Sequence, residues 1–171
     1  MAKRSVTLNG KSFELIGSEI KVGQKAPDFK LTAIDFSEVT LNQGKGKIVL
    51  LSVVHSLDTG ICDLQTQRFE EEAGKFKDVV IYTISMDLPF AQARYCGANN
   101  IKNLKTLSDY KEGSFGKAYG VLMKDLRLLS RAIFVIDKNG IVRYTEYLPE
   151  VARAPDYDKA VTALKGLISV S

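Results

Sequence analysis

The run Lys47–Val54, KIVLLSVV, is continuously apolar and rich in β-branched residues. Such a run is expected of a strand covered on both faces, since a half-exposed strand would alternate polar with apolar positions. DVVIYTIS, from Asp78 to Ser85, repeats the pattern, and so does RAIFVID, from Arg131 to Asp137. Between the first two runs, Leu64, Arg68 and the stretch from Phe69 to Phe76 read as an amphipathic helix. Strands alternating with helices predict a central, partly parallel sheet with helices on both faces.

The rest of the chain fits around this centre. VTLNGKSFEL alternates about Asn9-Gly10, a pair that favours a two-residue hairpin. Two short alternating segments follow the loop at Pro27, around Leu31 to Ala33 and Val39 to Leu41. Pro89 opens a helix through FAQARYCGANN, LKTLSD reads as a short strand, and SFGKAYGV is a short helix or turn. Asn139-Gly140 turns RAIFVID into IVRYTEYL as a second hairpin. A closing helix begins at Asp156, with Ala160, Val161, Leu164, Leu167 and Ile168 at helical spacing and Asp156 and Asp158 near its positive end. The pattern is an α/β sandwich of thioredoxin-like type, a central mixed sheet with an N-terminal β-hairpin, expected as one domain over residues 1–171.

The functional reading turns on Cys62, one of only two cysteines. It follows the first buried strand and the turn Asp58-Thr59-Gly60, in the first turn of the next helix. Loops beyond the C-terminal strand ends are where α/β proteins place their chemistry. Free N–H groups and the positive end of the helix dipole stabilise an anion there, so the position favours a thiolate. Thr59 is placed to cap the helix and to hydrogen-bond near the sulfur. The competing reading is a small buried hydrophobe, and position alone does not separate the two.

The stretch HSLDTGICDLQTQRF resembles the active-site loop of peroxiredoxins, with its Pro-x-x-x-Thr/Ser-x-x-Cys pattern, and most closely that of the bacterial thiol peroxidase subgroup. The resemblance extends to APDF, SMDLPFAQARYC, TLSD, YGV and LRLLSRAIFVID, in that order. It implies that Cys62 is the peroxidatic cysteine, Thr59 the threonine that orients thiolate and peroxide, and Arg131 the arginine beside the sulfur. Alone, Arg131 reads as a surface charge or an ion-pair partner; beside a thiolate, a fixed cation favours the anion and the charge that develops as the O–O bond breaks. Cys96, which alone reads as a buried helix residue, corresponds to the resolving cysteine that closes an intramolecular disulfide. His55 departs from the subgroup, which carries proline there to shield the thiolate and stiffen the loop. The expectation is that histidine only loosens the loop, its ring not reaching the sulfur; the alternative is a Cys–His pair.

The resemblance thus implies a cofactor-free thiol peroxidase acting on hydrogen peroxide and organic hydroperoxides, recycled by a thioredoxin-type reductant and assembled as a homodimer. The alternative is a non-catalytic redox sensor or binding protein on the same fold, impaired by His55. A disulfide oxidoreductase is disfavoured because Asp63, Leu64 and Gln65 follow Cys62, so no Cys-x-x-Cys occurs. His55, Cys62 and Cys96 lack zinc-site spacing. The 24 Lys and Arg of a net +4 chain are scattered, which disfavours a nucleic-acid surface. MAKRSVTLNGKSF has no apolar core for a signal segment, and Ile48 to Leu57 is too short to cross a bilayer; a cytoplasmic, membrane-free protein is expected.

Overall fold

The computed structural model describes residues 3–170. In chain order it contains β1 (Ser5–Leu8), β2 (Lys11–Ile16), β3 (Lys30–Ala33), β4 (Glu38–Thr40), β5 (Ile48–Val53), α1 (Gly60–Ala73), β6 (Val79–Ser85) and α2 (Pro89–Ala98). Then come β7 (Lys105–Ser108), α3 (Ser114–Ala118), β8 (Leu122–Met123), β9 (Leu128–Leu129), β10 (Ala132–Ile136), β11 (Val142–Tyr147) and α4 (Tyr157–Val170). Seven strands form the central sheet in the order β11-β10-β5-β6-β7-β3-β4. β5, β6 and β7 run parallel and the outer strands antiparallel, so the sheet is mixed as expected.

β5 lies in the middle, and each of its six residues is buried. That is why its sequence does not alternate: both pleat faces are covered. Leu51, Ile84, Leu107 and Phe134 face an aromatic group of Phe29, Phe115 and Tyr119, which brings in α3 and the segment before β3. On the opposite face, Leu50, Ile81 and Ile133 pack on Phe69 of α1 and on Ala160 and Leu164 of α4. Each fully buried aliphatic side chain contributes roughly 1.5–3 kcal/mol. Truncating a central one such as Leu50, which is fully buried, would cost roughly 2–5 kcal/mol.

The N-terminal hairpin forms about Asn9 and Gly10, both at positive φ as a tight primed turn requires. It does not join the central sheet, where the two sequence-read hairpins were both expected. It belongs to a second sheet, β1-β2-β8-β9, because β8 offers β2 an antiparallel edge at Leu15↔Met123 and Ile16↔Leu122. β8 and β9 are two residues long, too short for a period of two to register. Val6, Leu15, Met123 and Val151 form the small core beneath this sheet.

The active site follows from the strand order. β5 delivers the chain to the loop 54–59 and α1 at its C-terminal end. β10 runs antiparallel beside it with Ala132 opposite Val53, so Arg131 arrives at that same end from the other direction.

Candidate active site

Thr59 occupies the N-cap of α1 with extended backbone angles, and Cys62 is the third residue inside the helix. The Thr59 side chain makes no capping bond to the helix, contrary to expectation; its hydroxyl donates to the Ser56 carbonyl at 3.1 Å. That hydroxyl carries one proton, which serves either this carbonyl or the Cys62 thiolate.

Cys62 is completely buried, packed with Val54, Leu57 and Tyr95. Two side chains reach its sulfur. Arg131 Nη2 donates to Sγ at 3.3 Å, and His55 Nδ1 lies 3.5 Å from the same atom. Burial pushes the thiol up, but the His55 hydrogen bond, the Arg131 charge, the Thr59 hydroxyl and the Ser56 backbone together bring it down to about 6. At neutral pH the sulfur is therefore mostly thiolate. The expectation that the His55 ring stays clear of the sulfur is overturned. The loop places its ring against Cys62, and the ring is the partly exposed neighbour while Arg131 is fully buried.

Arg131 is held at every nitrogen: Nε donates to the Val151 carbonyl at 2.8 Å and Nη1 to Gln65 Oε1 at 2.7 Å. Gln65 in turn donates through Nε2 to Ser52 Oγ at 2.7 Å, tying the guanidinium to β5. Buried charges are tolerated only when bonded and paired in this way. Gln65 has no solvent exposure, and sequence reading passed it over. No local signal marked it, because the buried face of α1 also carries Thr66 and Glu72 and a polar residue there does not stand out.

Asp87, two residues beyond β6, was missed too. It accepts from Ser56 Oγ, the Leu57 N–H and Ser85 Oγ, each at 2.8 Å, and so anchors the cysteine loop to the neighbouring strand. An acidic residue in a turn carries no such information by itself.

Cys96 lies on α2, half-buried, with its sulfur 3.4 Å from Thr106 Oγ1; both cysteines are free. Burial, reinforced by the Glu70 charge, raises its thiol above the usual range despite the Thr106 hydrogen bond. The two thiols are thus differentiated, one ionised and one protonated. α2 is fastened to α1 by the Tyr95 hydroxyl donating to Asp63 Oδ1 and by Gln67 Nε2 donating to Asn99. Beyond α2, the Glu70 carboxylate accepts from the backbone N–H groups of Lys102, Asn103 and Leu104 and from the Asn103 amide. The structure therefore brings Cys62, Thr59, Arg131 and His55 together, and seats Cys96 on the adjoining helix against Thr106. Among the described residues, no three His, Cys, Asp or Glu side chains are grouped to hold a metal, and no helix is long and apolar enough to cross a membrane.

The Redoxin family matches residues 21–161. The thiol peroxidase of Bacillus subtilis is 52% identical over 163 residues, spanning 95% of this chain and 98% of that protein. The thiol peroxidase of Halalkalibacterium halodurans is 51% identical over 96% of this chain and 99% of its own length. Among solved structures, a peroxiredoxin-like protein from Aquifex aeolicus superposes with a TM-score of 0.90 at 38% identity, covering 96% of this chain and 97% of that one. A thiol peroxidase from Chromobacterium violaceum, 22% identical with a TM-score of 0.86 over 98% of both chains, shares the fold. Full-length likeness of this kind, over the thiolate site just described, settles the family: the chain belongs to the Redoxin family and, within it, to the bacterial thiol peroxidases, thiol-dependent peroxidases of the peroxiredoxin type.

Proposed function

We propose that Cys62 is the peroxidatic nucleophile of this peroxidase, that Thr59 and Arg131 orient and stabilise it, and that Cys96 is the resolving cysteine. The observation that carries this reading is the fully buried Arg131 guanidinium 3.3 Å from a sulfur at a helix N-terminus. The Cys62 thiolate attacks the outer oxygen of a hydroperoxide; the S–O bond forms, the O–O bond breaks, and the departing oxygen is protonated to water or an alcohol. Cys62 keeps the hydroxyl as a sulfenic acid. The Cys96 thiol then displaces that hydroxyl as water and closes a Cys62–Cys96 disulfide, which a thioredoxin-type dithiol protein reduces. No step calls on a metal or an organic cofactor.

The substrates are hydrogen peroxide and organic hydroperoxides, the unit acting is the whole chain, and the setting is the cytoplasm. A homodimer fits the exposed Phe36–Phe90 ring pair, with centroids 5.1 Å apart, and the exposed Leu88 beside it. The reading is tested by Cys62→Ser, which is expected to abolish peroxide reduction coupled to thioredoxin and its reductase. A serine variant that keeps most of its turnover would sink it.

A further inference from the structure

His55 is the only histidine in the chain, and its Nδ1 faces the Cys62 sulfur at 3.5 Å. With that nitrogen toward the sulfur, the neutral ring accepts the thiol proton and the protonated ring donates to the thiolate. The two partners of the sulfur differ in kind. The buried guanidinium of Arg131 is a permanent cation that gives up no proton under these conditions. The imidazole can both accept and return a proton, and its ring is partly exposed where Arg131 is fully buried.

We propose, resting on the peroxidatic assignment of Cys62 above, that His55 is a catalytic residue: it takes up the proton of the Cys62 thiol and returns it to the oxygen that leaves when the O–O bond breaks. The step balances without any further reactant. Thiol and imidazole become thiolate and imidazolium. The thiolate attacks R–O–O–H, sulfur is oxidised to the sulfenic acid, and the departing RO⁻ takes the imidazolium proton to become ROH. Neutral imidazole is left ready for the next thiol. His55 thereby supplies what Arg131 does not, a proton for a poor leaving group at the moment its charge develops.

Other ionisable groups surround the pair without offering a competing proton route. Arg131 reaches it from the residue before β10, and Tyr157 at the start of α4 senses the Cys62 and Arg131 charges. Tyr95, packed on Cys62 from α2, already donates to Asp63. Asp87 is occupied by Ser56, Leu57 and Ser85, while Asp58 in the turn is exposed.

The test uses two oxidants that differ in leaving group. tert-Butyl hydroperoxide expels an alkoxide that needs a proton; peracetic acid expels a carboxylate that does not. Single-turnover rates are measured on the full chain for wild type, His55→Asn, which keeps a hydrogen-bond donor near the Nδ1 position but stores no proton, and His55→Pro. Any change in thiolate fraction affects both oxidants alike, so the ratio of the two rates is the readout. The expected result is that both variants lose roughly tenfold or more against the alkyl hydroperoxide relative to the peracid at pH 7, the scale of a general acid. That gap closes at alkaline pH, where no proton is stored.

Because the chain has one histidine, its Cε1–H resonance is assigned without ambiguity. It is expected to titrate in two steps in the reduced wild type, one coinciding with the Cys62 alkylation profile, and in one step in Cys62→Ser. Equal losses against both oxidants, no loss at all, or a one-step titration in the wild type would each overturn the role of His55 alone. A wild type inert to both oxidants would overturn the assignment of Cys62 itself, and this role with it.

Discussion

Replacing Arg131 with methionine removes the charge while keeping much of the volume. Arg131 Nη2 stands 3.3 Å from Cys62 Sγ. For unit charges at that separation, an effective dielectric of 20 gives an attraction of about 5 kcal/mol, a ceiling that the delocalised guanidinium does not reach. Even half of it corresponds to a rise of about two pKa units. Starting from about 6, that rise takes the Cys62 thiol to ~8. The thiolate fraction at pH 7 then falls from roughly nine-tenths to roughly one-tenth. The lost donor to the charge developing in the transition state adds to this, so single-turnover peroxide reduction should slow by at least tenfold and up to about a thousandfold. Stability falls too, because the Val151 carbonyl and Gln65 Oε1 lose their donors inside the protein, at about 1–3 kcal/mol each. The assay is the pH dependence of Cys62 alkylation in a Cys96→Ser background, with circular dichroism to establish that the variant is folded. A folded Arg131→Met protein whose alkylation midpoint stays near that of wild type would refute the electrostatic reasoning, leaving Arg131 only a packing role. Arg131→Lys should restore part of the ionisation and less of the stability, since one ammonium does not span the three acceptors.

Cys96→Ser should consume about one equivalent of peroxide per chain, stall as the sulfenic acid, and over-oxidise under excess, as followed by intact mass; a disulfide-linked dimer as the main wild-type product would contradict an intramolecular partner. Tyr95→Phe removes the hydroxyl that donates to Asp63 and should speed formation of the Cys62–Cys96 disulfide by about tenfold, the value of a charge-assisted hydrogen bond of about 1.5 kcal/mol. Rapid quenching with a sulfenic-acid trap reads that rate, and an unchanged value would mean that α2 opens elsewhere. The reduced protein should lose stability as pH falls. The Cys62 acid is lowered from 9.0 to about 6 in the folded state, so its contribution is full above pH 9 and lost on descending through 6. Three units amount to about 4 kcal/mol. Urea unfolding of wild type and Cys62→Ser at several pH values measures it, and parallel curves would show that the thiolate carries no stability.

The parts of the molecule legible in sequence are those where one local pattern has one physical cause. β5, β6 and β10 are predominantly apolar without alternation because both faces of their sheet are covered, and each lies within the run that marks it. Cys62 is legible because a helix start after a buried strand is a distinctive place for a thiol. β8 and β9 leave no trace, and with them went the second sheet that takes the N-terminal hairpin out of the central one. Gln65 and Asp87 were silent because their roles are set by partners far along the chain: Arg131 for the first, the cysteine loop for the second. The geometry of His55 was misjudged for a similar reason. Proline at that place has no polar atom to aim, so the family pattern carries nothing about where an imidazole would point, and only the folded loop shows Nδ1 against the sulfur.

The Glu70 clamp on Lys102, Asn103 and Leu104 bears on how the two cysteines of the proposed disulfide meet. At the other end of α2, buried Gln92 donates to the Leu107 carbonyl and to Ser85 Oγ, holding the first turn on the sheet. Between these anchors lies the segment 93–101, which contains Cys96 and is tied to α1 by the Tyr95–Asp63 and Gln67–Asn99 hydrogen bonds. A strand of chain so short, pinned at both ends, has little volume to explore, and closing a short loop costs little entropy. In the proposed reaction a tether of this kind gives Cys96 an effective concentration on the millimolar scale toward a Cys62 sulfenic acid, above that of a typical enzyme chain in solution. Encounter within one chain should therefore outrun encounter between chains. The carboxylate that achieves this touches neither sulfur.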